Sequence, residues 1–271
     1  MLSVVRQVIQ ARSRNKAVSL AALVCEKFLR AYYNESATDF ASNGERKVIK
    51  AVCKHANFSP IVALDVGANE GRWALSLLQH ARGRANIHCF EIIPETATQL
   101  RHTVAKFPGI EVHKFGLSSS SGEVDVCWNK TANDCSSVVP RIGHKLFAQA
   151  ETQIVRCRVE KGDDVVKRLD LPSIDILKID VEGHEVEVLQ GFRQTLASSS
   201  PLIQFEYGTT YLPARHTLQE IYKLLEPLGY VIGRLHADHV KFKPYEFSDD
   251  HFRMGNYIAV KAGSRLHAAL K

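Results

Sequence analysis

With 271 residues, 45% of them apolar and 24% charged, the chain can build one large α/β domain with a sizeable core, and its composition excludes a disordered or fibrous protein. The net charge of +6 is a modest basic excess, and no dense basic-aromatic patch accompanies it, so a nucleic-acid partner is not expected. The longest apolar stretch, Ala17 to Cys25, falls short of the roughly 18 residues of a membrane span and runs straight into Glu26 and Lys27 without a small-residue cleavage site. Cysteines at 25, 53, 89, 127, 135 and 157 form no CxxC pair, which argues against a zinc knuckle and fits reduced thiols of a cytoplasmic protein.

Residues 1 to 33 read as one or two amphipathic helices in which Arg6, Arg12, Arg14, Lys16, Lys27 and Arg30 face only Glu26. Such a segment is more often a solvated basic helix face, but it also fits a peripheral contact with anionic membrane or a dimer contact. Asn43 reads as the cap of a helix carrying Val48, Ala51 and Val52. Strand and helix then alternate. Ile61 to Val66 is an apolar strand, followed by a glycine turn and a helix with Trp73, Ala74, Leu77 and Leu78 on one face. Asn86 to Glu91 is a second strand, Pro94 opens a helix with Ala97, Leu100 and Val104, and Ile110 to Phe115 is a third strand. Cys89 falls in the apolar pattern of the second strand and is expected in the core.

The pattern weakens between Glu123 and Arg158. Strands at Glu123–Trp128 and Thr152–Val159 flank an inserted segment carrying Asn133, Asp134, Ser136 and Ser137. Asp163 to Leu169 is a short helix. Ile174 to Asp180 is a buried strand that precedes one helix with Val186, Leu189, Phe192 and Leu196 on its face. Pro201 to Tyr207 is a strand, Thr217-Leu218-Gln219-Glu220 is a capping box opening a helix that ends before Gly229, and Tyr230–Leu235 and Asn256–Lys261 are the last strands. The alternation implies a mostly parallel sheet covered on both faces, with an antiparallel pair at one edge because no good helix joins the last two strands.

Two loops carry the chemistry. Asp65-Val66-Gly67-Ala68-Asn69-Glu70-Gly71 lacks the middle glycine that lets a pyrophosphate approach a GxGxxG turn, and Asp65 would repel a diphosphate. A cationic ligand without phosphate, such as S-adenosylmethionine, suits it better than a nicotinamide or nucleotide-sugar cofactor. Glu91, at the carboxyl end of the second strand, is placed to accept the two hydroxyls of a ribose. If the strands at 61–66 and 174–180 are neighbours where strand order reverses, Asp180, Glu182 and His184 face the same crevice. These acids and the histidine can act as base and substrate anchors, the preferred reading. A divalent metal on Asp180, Glu182 and His184 is a less favoured alternative, and capping of the next helix accounts for Glu185 rather than the whole set.

Taken together, Asp65 to Gly71, Phe90-Glu91 with Pro94, Leu177-Lys178-Ile179-Asp180-Val181-Glu182-Gly183-His184-Glu185 and Gly255 to Val260 resemble FkbM-type methyltransferases, as does Asn43-Gly44-Glu45. The resemblance spans residues 43 to 262, leaving 1–42 as an N-terminal helical extension and 263–271 as a C-terminal tail. It implies a class I, Rossmann-like, doubly wound fold with a mostly parallel seven-stranded sheet and an antiparallel edge strand. It also implies S-adenosylmethionine as donor and O-methylation of a hydroxyl on a sugar of a glycolipid or polysaccharide, or on a natural product. Asp65, Gly67, Ala68, Asn69, Gly71, Glu91 and Ile92 would line the donor site, with Leu117 and Ser118 beside the adenine. His184 is the expected base, because an unperturbed imidazole titrates near neutral pH, with Asp180 second and Glu182 beside them.

Overall fold

The computed structural model describes residues 2–35, 39–40, 42–56, 59–129, 138 and 152–271, with the backbone alone for Leu2, Ser3 and Val4. The inserted segment singled out above therefore lies outside the described residues except for Asn129 and Val138. The order is α1 (Leu2–Ala11), α2 (Lys16–Tyr32), α3 (Glu45–His55), β1 (Ile61–Val66), α4 (Arg72–His80), β2 (Ala85–Phe90), α5 (Pro94–Val104), β3 (Ile110–His113), β4 (Gly116–Ser118), β5 (Gly122–Asn129) and β6 (Thr152–Lys161). Then come α6 (Gly162–Arg168), β7 (Ile176–Ile179), α7 (Glu185–Gly191), α8 (Arg193–Ser198), β8 (Leu202–Tyr207), α9 (Tyr211–Ala214), α10 (Leu218–Leu225), β9 (Tyr230–Leu235), β10 (Val240–Phe242), β11 (Gly255–Lys261) and α11 (Arg265–Leu270).

The main sheet runs β10-β9-β11-β8-β7-β1-β2-β3. Its central strands β8, β7, β1, β2 and β3 are parallel, as expected for near-continuous apolar strands covered on both faces. One face packs Val48, Ile49 and Val52 of α3, Trp73 and Leu77 of α4, and Leu100 of α5. The other packs Val165 of α6, Val186 and Leu189 of α7, and Leu218 and Ile221 of α10. Cys89 is fully buried in the first of these layers. Strand order reverses beside β1, which has β2 on one side and β7 on the other, so the loops after β1 and β7 meet at one sheet edge.

Several expectations change. The sheet has eight strands rather than seven, because the three residues of β10, too few to show an alternation, close a hairpin on β9. The expected antiparallel pair is present as β9–β11 with β10 antiparallel at the edge beyond it, but β11 lies between β8 and β9 and is antiparallel to both, so β9 runs parallel to the central strands. The apolar run from 110 to 115 ends at His113, and the chain restarts at Gly116 in a separate three-stranded sheet, β4-β6-β5. The single helix expected after β7 breaks at Gly191–Phe192 into α7 and α8; a Cβ at Gly191 would overlap the Ser118 carbonyl, so this glycine sets how closely α7 approaches β4. Asn43 acts one position before the cap, its Oδ1 accepting from the Glu45 amide at 3.0 Å while Gly44 takes the left-handed cap conformation.

The C-terminal tail is also a packed element. Ser264 caps α11 through the His267 amide at 3.1 Å, and α11 buries Leu270 against the α3 layer. Leu270→Ala is expected to lower the unfolding free energy by about 2–4 kcal/mol, read from the urea midpoint at constant m-value.

Candidate active site

A row of polar side chains crosses the buried centre of the sheet. Strand register puts Lys178 beside Asp65 on one side and Gln204 on the other. The Lys178 ammonium lies 3.5 Å from Asp65 Oδ1 and 3.2 Å from Asp180 Oδ2, and Gln204 Nε2 donates to Glu45 Oε2 at 2.7 Å. Burial disfavours the charge on Lys178, but Asp180, Asp65 and Glu45 outweigh it and hold the ammonium protonated, well above its ordinary pKa. Asp65 is fully buried, and burial pushes its carboxyl up despite Lys178. Neither Asp65 oxygen receives a hydrogen bond. A buried carboxylate in that state favours a further cationic donor nearby.

Above this row the loop after β1 is shaped by three left-handed residues, Gly67 (φ 82°), Asn69 (φ 45°) and Gly71 (φ 77°). A Cβ on Gly67 would overlap the Asp180 carbonyl, so this glycine lets the β1 and β7 loops pack backbone to backbone. Gly71 serves as the N-cap of α4, where a Cβ would press on Leu100. Glu91 ties the next turn to this loop: Oε2 accepts from the Asn69 amide and Oε1 from the Ile93 amide, each at 2.9 Å. Burial raises its carboxyl pKa, and the two amides pull it back. Each oxygen retains lone-pair capacity for a hydroxyl donor.

The β7 loop turns through Glu182 (φ 58°) and Gly183 (φ 102°). Glu185 folds that turn, its Oε1 accepting from the Val181 amide at 3.1 Å and Oε2 from the Gly183 amide at 2.9 Å. Burial raises Glu185 to about 8. His184 Nε2 meets Ser118 Oγ at 2.9 Å, and its Nδ1 lies 3.5 Å from Glu187, which is held by His216 at 2.6 Å. The carboxylate beside Nδ1 assigns the proton to that nitrogen and leaves Nε2 as acceptor for the Ser118 hydroxyl. Burial lowers the His184 pKa, with Glu187 opposing, so the ring is neutral at physiological pH.

These loops enclose a cavity at the sheet edge. Gly67, Asn69, Glu91, Ile92, Leu117, Asp180, Glu182 and His184 line it, so eight of the twelve residues expected at the site converge on one space. Four do not line it: Asp65 lies beneath the floor, Ala68 and Gly71 are buried in the loop's own packing, and Ser118 stands behind His184. Val66, Phe90, Ile93, Gly116, Val126, Val138 and Val181 complete the wall. Val126 of β5 and Val138, between β5 and β6, carry no local pattern that marks them as site residues, because they reach the cavity only through tertiary packing. Lys178 and Gln204 did carry a signal, a polar residue in mid-strand among buried apolar neighbours.

Asp180, Glu182 and His184 do not gather as metal ligands. Among the described residues that spacing belongs instead to His88, Glu111 and His113 on β2 and β3. There His88 Nδ1 and His113 Nε2 stand 3.1 Å apart with ring centroids at 5.3 Å, which is the geometry of imidazoles meeting head-on in an N–H···N bond.

A doubly wound sheet with a glycine turn after β1 and carboxylates near the ends of β1 and β2 has the fold of class I methyltransferases. The FkbM methyltransferase domain matches residues 65–232, and the chain belongs to that family. The chain is 30% identical over 203 residues to the hexuronic acid methyltransferase AglP of Haloferax volcanii, covering 72% of this chain and 79% of that protein. It is 26% identical over 182 residues to the 2-O-methyltransferase NoeI of Sinorhizobium fredii, covering 64% of this chain and 70% of that one. Among solved structures, a methyltransferase FkbM from Methylobacillus flagellatus aligns with a TM-score of 0.49 at 16% identity, over 74% of this chain and 44% of that one.

Lys178→Met leaves two carboxylates without their buried cation. It is expected to cost about 3–5 kcal/mol of stability. Without the ammonium the folded-state pKa of Asp65 rises further above its unfolded value. The lost stability is therefore partly restored below about pH 4 and absent as pH rises through neutrality, which denaturant titrations across that range will show.

Proposed function

We propose that the protein transfers a methyl group from S-adenosylmethionine to a hydroxyl of a sugar or a related natural product. The observation that carries the donor assignment is Asp65, a fully buried carboxylate whose Oδ1 lies 3.5 Å from the Lys178 ammonium and whose oxygens receive no closer donor, beside a loop unsuited to pyrophosphate. S-adenosylmethionine brings an ammonium, a ribose diol and a sulfonium methyl that an oxygen nucleophile can take, leaving S-adenosylhomocysteine. Asp180 in the cavity wall and Asp65 beneath it favour the donor's positive charge, the free lone pairs of Glu91 suit the ribose hydroxyls, and Ile92, Leu117 and Val126 form an apolar wall suited to the adenine. The sugar acceptor draws support from the named activities of AglP and NoeI.

His184 acts as base in this reading. Its neutral ring lines the cavity, Nε2 carries a lone pair, and Glu187 behind Nδ1 stabilises the imidazolium formed when the acceptor's hydroxyl proton arrives. The Ser118 hydroxyl fills that lone pair until an acceptor hydroxyl replaces it. Asp180 and Glu182 supply carboxylates at the cavity wall to hold the acceptor's other hydroxyls.

Calorimetry with S-adenosylhomocysteine against NAD tests the donor: binding of the first alone is expected. Gly67→Ala, which drives the β1 and β7 loops apart, should weaken that binding by about tenfold or more. His184→Ala should lower turnover of a uronic acid or hexose acceptor by roughly 10²-fold or more at unchanged S-adenosylhomocysteine affinity. Because burial depresses the His184 pKa, the rate should hold its plateau down through about pH 6.5 and fall only below it, and the acid limb should vanish in the variant. Full turnover by His184→Ala across the same range would remove the histidine from the mechanism.

A further inference from the structure

The methyl-transfer site leaves α1 and α2 unexplained. Among their described side chains, α2 buries none. Val5, Val8 and Ile9 of α1 are each about half exposed, and on α2 Val24 is 58%, Phe28 67% and Tyr32 52% exposed. At about 100° per residue, Val24, Phe28 and Tyr32 fall on one half of α2, while Lys16, Lys27 and Arg30 fall on the other. Residues 1–34 carry six basic side chains and one acid, so five of the six net positive charges of the chain lie in this segment. An apolar face of that exposure beside a basic one is the pattern of a helix that lies in a membrane interface.

We propose that α1 and α2 dock the protein on an anionic membrane surface, with α2 lying in the interface. Charge selects this occupant. Anionic lipid complements the segment, whereas a second copy brings the same positive charge to the contact. The helix is also fixed relative to the cavity. Asn34 donates to the Leu235 and Asn43 carbonyls at 3.2 and 2.8 Å, and Arg234 Nε donates to the Tyr33 carbonyl at 2.6 Å. Leu235 ends β9, which runs parallel to β1 and β7, so α2 is tied to the sheet edge at which the cavity opens. Exposed Leu212, just past β8, belongs to the same edge. The docked protein therefore presents its cavity edge beside the bilayer, where a lipid-linked acceptor is delivered. That consequence for the acceptor rests on the proposed methyl transfer; the docking does not.

Flotation of the full chain with phosphatidylglycerol vesicles and with phosphatidylcholine vesicles tests the docking. Binding to the first is expected to exceed binding to the second by about tenfold or more, and to weaken as salt is raised. Val24→Glu/Phe28→Glu should abolish flotation while leaving S-adenosylhomocysteine affinity unchanged, which also shows that the domain is folded. The proposal is overturned if the wild-type chain stays unbound to phosphatidylglycerol at low salt, or if the double variant floats as well as the wild type. It is equally overturned if light scattering shows a dimer, strengthened by salt, that the same substitutions dissociate without any vesicle binding. Failed flotation with intact S-adenosylhomocysteine binding counts against docking alone; the reverse counts against the donor assignment alone.

Discussion

Lys178 enters the interior of the sheet from β7 and places its ammonium 3.5 Å from Asp65 and 3.2 Å from Asp180. Burying Lys178 and Asp65 costs several kcal/mol for each ion, and the attraction of the ammonium to Asp65 and to the partly exposed Asp180 offsets that cost. Asp65 stands near the end of β1 and Asp180 opens the loop after β7, so the interaction that stabilises the buried charge also ties the β7 loop to β1. Gly67 completes the junction by letting its backbone rest on the Asp180 carbonyl.

The consequences spread outward. With the β1 and β7 loops joined, Asn69 presents its amide to Glu91, and Glu91 fixes the turn into α5. On the other side the β7 turn passes through Glu182 and Gly183, closes on Glu185 and delivers His184 to Ser118. Glycine at 191 allows α7 to approach β4 closely enough for that last contact. In the proposed reading, the carboxylates of Asp65 and Asp180 beside one ammonium favour a cationic donor over a phosphate.

Much of this was legible in the chain. Apolar runs of strand length bounded by glycine or by a helix cap located β1, β2, β7, β8 and β9 within a residue or two. The helix faces of α4 and α5 follow from their spacing, and Trp73, Leu77, Leu100 and Val104 are all buried. The carboxylates of both loops were legible because an acid at the end of an apolar strand is costly unless it is used. What escaped was short or long-range: β10 has three residues, only two residues separate β3 from β4, and α11 acquires its meaning only by packing Leu270 near α3.

By itself the sequence determined the alternation of strands and helices, the acidic character of the first loop and the family to which the chain belongs, because these depend on local spacing and residue chemistry. Tertiary structure alone decided that Asp65 lies beneath the cavity rather than in its wall, and that Lys178 is its partner across a parallel strand pair. It also decided that His184 turns Nε2 toward Ser118 and that β11 sits inside the sheet rather than at its edge. Each of these depends on register and on close backbone approach between segments far apart in sequence, and no local pattern encodes such a distance.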